Sequence, residues 1–399
     1  MKFASAPLLI LLVVVINFWI YFKILSNVQN PKKCEINVEN LANLLRINRN
    51  SSSLVQKLQN PFENAYENQT MNTIQTKLYA LYGGGGLGNI LFELISLRGI
   101  ASLLNRTPTI NADRWNIMGV LIKKIQPVFP RLVEQYQFKL IPKSKIRVVQ
   151  ESRKACCIFD DPERMAKLTD PNLYLQAHYL QSFKYFDHLK NDVRNWLTPN
   201  VLTQVRADTL LPERNQNDFI ICTHVRRGDF TTDGLHRPSD GQFTRLATDY
   251  LVHEYQKTHD KLHIVVMGND PVWSYSIFHD RTPKSDIIEK PYIENPPPID
   301  SPEYNVTITP TLTPETDLAF SARYCDVVLI TAPSSTFGWW LGYLSKEGSV
   351  VYYRSIVESK DGVIREMNEE DFFPPSWIKL ETSVDTNEIK KAKFPIGSF

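Results

Sequence analysis

Nine residues at positions 222–230, with the sequence CTHVRRGDF, have the types and spacing best suited to chemistry in this chain of 399 residues. The apolar run FII comes directly before them and predicts a buried strand, which places His224, Arg226, Arg227 and Asp229 near the carboxyl end of that strand. Ligands of open α/β sheets bind in the crevice at that end. Because guanidinium groups match phosphate oxygens two at a time, the segment predicts a site that binds a pyrophosphate.

A glycine-rich turn forms a second candidate anion site. Gly83, Gly85 and Gly88 satisfy the pattern G-x-G-x-x-G after a strand predicted at 77–82, and a helix is predicted to follow. Such glycines let backbone N–H groups approach an anion at a helix N-terminus, and Asp113 lies close to where an acid that binds ribose would sit. This pattern alone makes a NAD(P)-type dinucleotide-binding enzyme an alternative. A tight turn that needs positive φ is another.

Strands alternate with helices in both halves of the chain. The first half predicts a strand at 77–82, a helix at 90–104 and a strand at 107–113. The second half predicts strands at 219–223, 262–267, 326–331 and 350–353, and helices at 243–253, 316–323 and 337–344. The alternation is typical of parallel sheets covered on both faces, so the predicted fold class is α/β, with two facing Rossmann-like domains and a cleft between them. A polar break near residue 215 divides an N-terminal α/β domain at 77–215 from a C-terminal domain at 216–399.

The N-terminus predicts a membrane anchor. Residues 7–25 are apolar apart from Asn17 and Lys23, and the length of this stretch is close to the ~20 residues that a spanning helix needs. A cleaved signal peptide is the alternative, although the residues that follow offer a poor cleavage site. Residues 1–6 would form a short cytoplasmic tail, and residues 26–76, rich in Asn, Gln and Ser, a stem. The glycosylation sequons, which favour a lumenal body and a type II arrangement, begin at Asn50, Asn68, Asn105 and Asn305.

Charge and cysteine content narrow the class of protein further. The formal net charge of +2 gives no electrostatic footprint for nucleic acid, so no nucleic-acid partner is predicted. Cys156 and Cys157 are adjacent and are not expected to bond to each other, whereas Cys34 could pair between chains in a homodimer. In an oxidising compartment the five cysteines could form two bridges and leave one over, although Cys222 and Cys325 are expected to be simply small buried hydrophobes.

Four segments, in order between about residue 80 and residue 377, resemble the family of α-1,2-fucosyltransferases. They are GGGGLGNILFE at 83–93, YLQSFKYF at 179–186, HVRRGD at 224–229 and SSTFGWW at 334–340. The chain departs from the family pattern at Gly86, Ile90 and Gly338, where the family commonly has Arg, Gln and Ser. The first two departures put the acceptor specificity in doubt. A non-catalytic glycan-binding relative, and a transferase that uses another donor sugar, therefore stand as alternatives.

The resemblance implies an activity and its partners. It implies inverting, metal-independent transfer of fucose from GDP-fucose to the 2-hydroxyl of a galactose-terminated glycan, by a GT-B-like protein of the Golgi membrane with no cofactor. By the same resemblance, Arg226 and Arg227 bind the diphosphate and His224 helps to hold the nucleotide. Fixed cations at the leaving phosphate would act where negative charge builds in the transition state.

Other residues at strand ends and in the family motifs complete the predicted site. Ser334, Ser335 and Thr336 lie between a predicted strand and helix, where their hydroxyl and N–H groups could cap a phosphate. Asn269 and Asp270 follow another strand and could meet guanine or ribose. The predicted donor site also includes Gly85, Gly88 and Asn89, and the predicted acceptor site Gln181 and Tyr185.

The sequence leaves the identity of the general base open. Asp229 is the carboxylate nearest to the arginines, but a salt-bridged acid there would have a lowered pKa and would be a poor base. We therefore expect Asp229 to brace the arginines, and Asp233 and Asp317 are further candidates for the base. Trp339 and Trp340 are expected to pack in a core or an interface rather than to stack on sugar.

Overall fold

The computed structural model describes residues 72–83, 85–111, 115–211, 218–280, 304–311, 313–383, 386 and 388–392, which belong to one compact unit. The predicted tail and anchor, nearly all of the predicted stem, Asn50, Asn68 and Cys34 lie outside these residues. Within the described ranges, none of the helices is long and apolar enough to cross a membrane.

Strands and helices alternate along the described chain. The strands are β1 (Thr73–Thr76), β2 (Thr107–Asn111), β3 (Gln137–Lys139), β4 (Arg147–Gln150), β5 (Asn172–Gln176), β6 (Phe219–Val225), β7 (Leu262–Gly268), β8 (Val306–Ile308), β9 (Val327–Ile330), β10 (Val350–Arg354), β11 (Ile378–Thr382) and β12 (Ile389–Lys391). The α-helices are α1 (Tyr79–Gly83), α2 (Leu87–Leu103), α3 (Trp115–Val120), α4 (Pro130–Val133), α5 (Lys190–Trp196), α6 (Val201–Asp208), α7 (Gly241–Tyr255), α8 (Pro271–Phe278), α9 (Pro314–Tyr324), α10 (Thr336–Leu344), α11 (Ile356–Ser359) and α12 (Glu369–Phe372). The α/β class is confirmed.

The first sheet has the order β3-β2-β1-β5-β4, and all of its neighbouring strands are parallel. The strand predicted at 77–82 is wrong, because the chain forms its strand earlier, at Thr73–Thr76, inside the segment predicted as stem. All four of these residues are buried between β2 and β5, as expected of a central strand. The segment predicted as a strand instead ends near Tyr82, which is 59% exposed. Leu78 adopts a left-handed conformation with φ of 52°, so the extended chain ends there and α1 begins.

The second sheet has the order β12-β11-β10-β9-β6-β7-β8, and its strands are parallel except for the pair β11–β12. From β6 the chain adds β7 and β8 on one side and then crosses to add β9, β10 and β11 on the other. The order therefore reverses between β6 and β9. In doubly wound sheets this reversal opens a crevice at the carboxyl ends of the two strands, where ligands bind.

The prediction for Cys156 and Cys157 is wrong, whereas Cys222 and Cys325 are buried as expected but are also bonded, which agrees with the alternative of two bridges. Cys156 and Cys157 form a disulfide with each other despite being adjacent, and Cys222 forms a disulfide with Cys325. Cys222 lies within β6, and Cys325 lies two residues before the neighbouring strand β9. This brings the two Cα atoms to 5.6 Å, an ordinary spacing for a disulfide. That proximity depends on a crossover of about 100 residues, which cysteine spacing cannot reveal.

Helices α2 and α10 meet at their N-terminal ends and join the elements of the two sheets. The indole Nε1 of Trp340 donates to the Gly88 carbonyl at 2.9 Å, and Thr336 Oγ1 donates to Asn89 Oδ1 at 2.6 Å. A Cβ atom on Gly88 would lie 2.6 Å from the backbone N of Phe337, closer than a real Cβ contact allows. Gly88 is therefore required by helix packing, a reason that the glycine pattern alone did not show.

Aromatic side chains fill the space behind this contact. Trp339 and Trp340 are fully buried, which confirms that they are packing residues. The ring of Phe92, on α2, lies 4.6 Å from Trp339 and 5.1 Å from Trp340, centroid to centroid. Phe186 stacks on Trp340 at 5.6 Å. These tilted and stacked pairs are the arrangements that aromatic rings prefer, so this cluster fixes the position of α10.

We expect Gly88→Ala to destabilise the protein by about 1–3 kcal/mol, because the added methyl group must push two backbones apart. Gly86→Ala is the matched control, since a Cβ there meets no atom within 4 Å and the backbone has ordinary angles, φ −62° and ψ 158°. Thermal unfolding of both variants measures the difference. Equal melting temperatures would contradict the packing role of Gly88.

Candidate active site

A cavity of about 590 Å³ lies along the carboxyl edge of the second sheet. The residues that line it follow successive strands: Asp317 comes after β8, Asn269 after β7, Arg226 after β6, Ser335 after β9 and Val363 after β10. Segments of the first half close the other side through Gly86, Leu87, Gly88, Asn89, Cys156, Tyr179 and Gln181. The cavity therefore occupies the crevice that the reversal of strand order creates.

Arg226 presents a cation to the middle of this cavity. Its Nη2 donates to Asp229 Oδ2 at 2.8 Å, and its guanidinium lies 5.0 Å from the ring centre of Phe230. Its Nε has no hydrogen-bond partner among the described residues. Asp229 is 61% exposed and pairs with Arg226, which agrees with the bracing position expected for it. The guanidinium is thus held in place with donor capacity left for a ligand.

Arg227 is directed away from the cavity, which its side chain does not line. Its Nη1 donates to the Ser239 carbonyl at 3.0 Å, its Nε lies 3.5 Å from Asp270 Oδ2, and its guanidinium packs 4.3 Å from the ring centre of Trp273. The structure therefore brings one arginine of the predicted pair to the site. Arg227 instead ties the loop after β6 to the start of α8, the helix that Asp270 caps through the Trp273 N–H at 3.0 Å.

His224 lies at the floor of the cavity and is almost fully buried. Burial, together with the positive charge of Arg226, lowers the pKa of His224 to about 3, so its imidazole is neutral near pH 7. Its Nδ1 has no hydrogen-bond partner within the described part of the chain. A Cβ on Gly338 would lie 2.6 Å from that nitrogen, so α10 approaches the imidazole closely at this glycine.

The three hydroxyl residues at the start of α10 all line the cavity. Ser335 caps the helix by accepting from the Gly338 N–H at 3.2 Å, and Thr336 holds Asn89. Ser334 Oγ donates to Asp361 Oδ2 at 2.5 Å. The loop thus points the N-terminus of a nine-residue helix at the cavity, a favourable environment for an anion.

Asp361 is a buried residue that the sequence did not single out. Besides Ser334, it accepts from the backbone N–H groups of Arg237 and Val363, each at 3.0 Å. One carboxylate therefore holds together the loops that follow β6, β9 and β10. A lone aspartate in a loop carries no pattern in the sequence, so only the fold reveals this role.

Most of the remaining predicted residues lie at the cavity, and some do not. Asn269 lines it and accepts from the Arg227 N–H at 2.8 Å, and Gln181 lines it and donates to Asn89 at 3.2 Å. Tyr185 instead lines a separate cavity of about 290 Å³, where its hydroxyl accepts from the Asp160 N–H at 3.0 Å. Gly85 and Asp270 do not line the main cavity either.

Asp317 is the acid that the structure distinguishes most clearly. It lines the cavity, its side chain is buried, and its Oδ1 has no hydrogen-bond partner among the described residues. Burial, with a smaller effect of the nearby Glu315, raises its pKa from 3.8 to about 7. A buried carboxyl with an unpaired oxygen is suited to accept a hydrogen bond from a ligand. The pKa of Glu93 is also raised to about 7 by burial, but Glu93 lies outside the cavity lining and holds α1 through the Ala80 and Leu81 N–H groups.

The raised pKa of Asp317 predicts a pH-dependent stability. A carboxyl whose pKa rises on folding contributes its full stability below the unfolded pKa, near 4, and loses it as the pH rises through about 7. We therefore expect the free energy of unfolding of the ligand-free protein, and with it the melting temperature, to fall between about pH 5 and pH 8. Asp317→Asn should reduce the fall in unfolding free energy by roughly 2–4 kcal/mol. Part of the pH dependence should remain in this variant, because Glu93 also has a raised pKa. If the variant and the wild type lost stability equally with rising pH, the raised pKa of Asp317 would be refuted.

The strand order of the second sheet, with a cavity that contains Arg226 at its point of reversal, is that of a doubly wound α/β protein, the class that binds its ligands at this edge. No family model matches the chain. The chain is 50% identical over 369 residues to a galactoside 2-α-L-fucosyltransferase of Caenorhabditis elegans, an alignment that covers 92% of this chain and 90% of the relative. A further C. elegans protein of that name is 36% identical, covering 77% of this chain and 80% of its own length. The chain belongs to the galactoside 2-α-L-fucosyltransferase family and is a glycosyltransferase.

A solved structure is similar at lower identity. The complex of a mutant Arabidopsis thaliana FUT1 with GDP has a TM-score of 0.43 and 12% identity, and the similarity covers 81% of this chain and 80% of that one. The family membership confirms the resemblance drawn from the four motifs. It also displaces the dinucleotide-binding enzyme that the glycine turn alone suggested.

Proposed function

We propose that the protein transfers fucose from GDP-fucose to the 2-hydroxyl of a galactose-terminated glycan, with inversion and without a metal ion. The observation that carries the proposal is that the fixed guanidinium of Arg226 and the N-terminus of α10 line one cavity at the reversal of strand order. The name of the relative with 50% identity supports the sugar and the linkage.

The order of residues along the cavity fits a nucleoside diphosphate sugar. The N–H donors on the edge of guanine match the buried carboxyl of Asp317 at the β8 end, whose Oδ1 lacks a partner among the described residues. The diphosphate then lies at Arg226 and Ser335, in the middle of the edge. The fucose lies towards Val363 at the β10 end, where Tyr179 and Gln181 from the first half could receive the acceptor.

Catalysis follows from charge development on the leaving group. As the bond between fucose C1 and the β-phosphate oxygen breaks, negative charge grows on the phosphate, and a preorganised guanidinium stabilises it most in the transition state. Arg226 is held by Asp229 and by the Phe230 ring before the reaction begins, so little reorganisation is needed. The neutral His224 can accept or donate a hydrogen bond without opposing that charge.

We further propose the cellular setting expected from the sequence: a type II Golgi membrane protein anchored by residues 7–25, with a GT-B-like lumenal body of two domains. Of the sequons within the described residues, Asn105 and Asn305 both have exposed side chains, as glycosylation requires. A homodimer through Cys34 belongs to the same proposal.

The activity is tested with the full-length, detergent-solubilised protein, radiolabelled GDP-fucose and an array of galactose-terminated glycans, in the presence of EDTA. We expect label on the 2-hydroxyl of galactose, and competition by GDP but not by UDP or NADH. No transfer to any galactoside, or transfer only when divalent metal is added, would refute the proposal. Glycan binding without turnover would favour a non-catalytic relative, and preference for another labelled donor would favour a different transferase.

Arg226→Ala should lower kcat at least about 100-fold, because it removes the cation at the leaving phosphate. Arg227→Ala is the contrast: it removes a loop contact to Ser239 and Trp273 and should cost stability more than turnover. Steady-state kinetics and thermal unfolding of both variants measure the two effects. If Arg227→Ala lost as much kcat as Arg226→Ala with an unchanged melting temperature, both arginines would act on the phosphate.

A further inference from the structure

The loop after β6 contains an aspartate–histidine pair that the proposed catalysis has not used. Asp233 Oδ2 accepts from the imidazole Nδ1 of His236 at 2.6 Å, while its Oδ1 accepts from the backbone N–H groups of Leu235 and His236, each at 2.9 Å. The imidazole also stacks on Phe230, with ring centres 4.2 Å apart and planes 15° apart. A carboxylate that holds Nδ1–H fixes the tautomer, so Nε2 is the basic nitrogen of His236.

This pair lies at the sugar end of the cavity. The Leu235 carbonyl accepts from the Gly362 N–H at 2.9 Å, so the loop sits beside the segment that follows β10, at the opposite end from Asp317. His236 lines the cavity together with Phe230 and Val363. Arg226 and His236 both pack on the ring of Phe230, so one aromatic side chain connects the imidazole to the cation assigned to the leaving phosphate.

We infer that His236, oriented by Asp233, is the general base that takes the proton from the acceptor hydroxyl. The inference rests on the proposed function. The hydroxyl oxygen of the acceptor forms the new bond to fucose C1, the bond from C1 to the β-phosphate oxygen breaks, and its electron pair leaves with GDP. The hydroxyl proton moves to Nε2 of His236 and is then released to water. Asp233 is a positioning residue in this step.

The other ionisable groups at the cavity suit this role less well. Asp229 is engaged with Arg226, and Asp317 lies at the nucleobase end. Glu366 lies on the segment after β10 and faces the cavity from an exposed position, where its carboxylate has no hydrogen bond or ion pair with the described residues to orient it towards the sugar. Asp233 has both oxygens occupied, and although burial opposes it, hydrogen bonds from His236 and Leu235 keep its pKa below the usual value. Asp233 therefore stays ionised and holds the ring.

The test compares His236→Gln, Asp233→Asn and the control His253→Gln, which changes an exposed histidine on α7. His236→Gln should lower kcat at least about 100-fold, the usual contribution of a positioned base. The KM for GDP-fucose and the thermal shift produced by GDP should stay within about twofold of the wild type. The decline of kcat at acidic pH, present in the wild type as the base becomes protonated, should disappear in this variant.

Asp233→Asn keeps the acceptor oxygen for the loop N–H groups but removes the charge, so we expect a smaller loss of kcat and a shifted acidic limb. Unchanged kcat and pH profile in His236→Gln, or a raised donor KM at unchanged kcat, would overturn the inference. If His236→Gln does not fold, His236→Asn and the pH profile of Asp233→Asn decide: a wild-type profile in Asp233→Asn overturns it. A wild-type protein that transfers no fucose would refute the proposed function instead.

Discussion

The close contact between the N-terminal ends of α2 and α10 is the constraint on which the site depends. Gly88 permits the two backbones to touch, Trp340 bonds to its carbonyl, and Thr336 bonds to Asn89. Both helices thereby direct their N-termini towards one cavity, and the residues that precede α10 are held at its rim. A side chain at residue 88 would separate the two helices and with them the two walls of the site.

Electrostatics divide the cavity into regions along the edge of the second sheet. The buried carboxyl of Asp317 stands at one end, a guanidinium and a helix N-terminus in the middle, and an Asp233–His236 pair at the other end. Asp361, buried beneath them, joins the three loops on which the last two regions depend. A single buried carboxylate with several N–H and O–H donors is a stable arrangement, because each donor compensates part of its desolvation.

Much of the second sheet could be predicted from the sequence, because its strands are continuous apolar runs that end in polar residues. The strand end at Arg226 and the hydroxyl loop before Phe337 were found in this way, and the structure brings both to one cavity. Local pattern failed where tertiary context decides. Thr73–Thr76 is too polar to stand out as a strand, yet it is buried between two others.

The directions in which side chains project could not be predicted from the sequence either. Adjacent positions such as Arg226 and Arg227 project to different sides once the strand has ended, so one reaches the cavity and the other Trp273. The pairing of Cys222 with Cys325 depends on strand order, and the roles of His236 and Asp361 on loops that meet only in the folded chain.

The disulfide-linked pair Cys156–Cys157 has a consequence for how substrates enter. The backbone of these two residues forms hydrogen bonds with Gln181 on one side and with Glu366 and Asn368 on the other. These bonds connect a loop of the first half to the segment that follows β10. Together with the contact between α2 and α10, these hydrogen bonds join the two halves of the chain at two separate places. A rigid-body hinge motion, the common way for such clefts to open, would have to break both sets of contacts. The entry of donor and acceptor must then depend on movements of the small loops at the mouth of the cavity rather than on a rotation of whole domains.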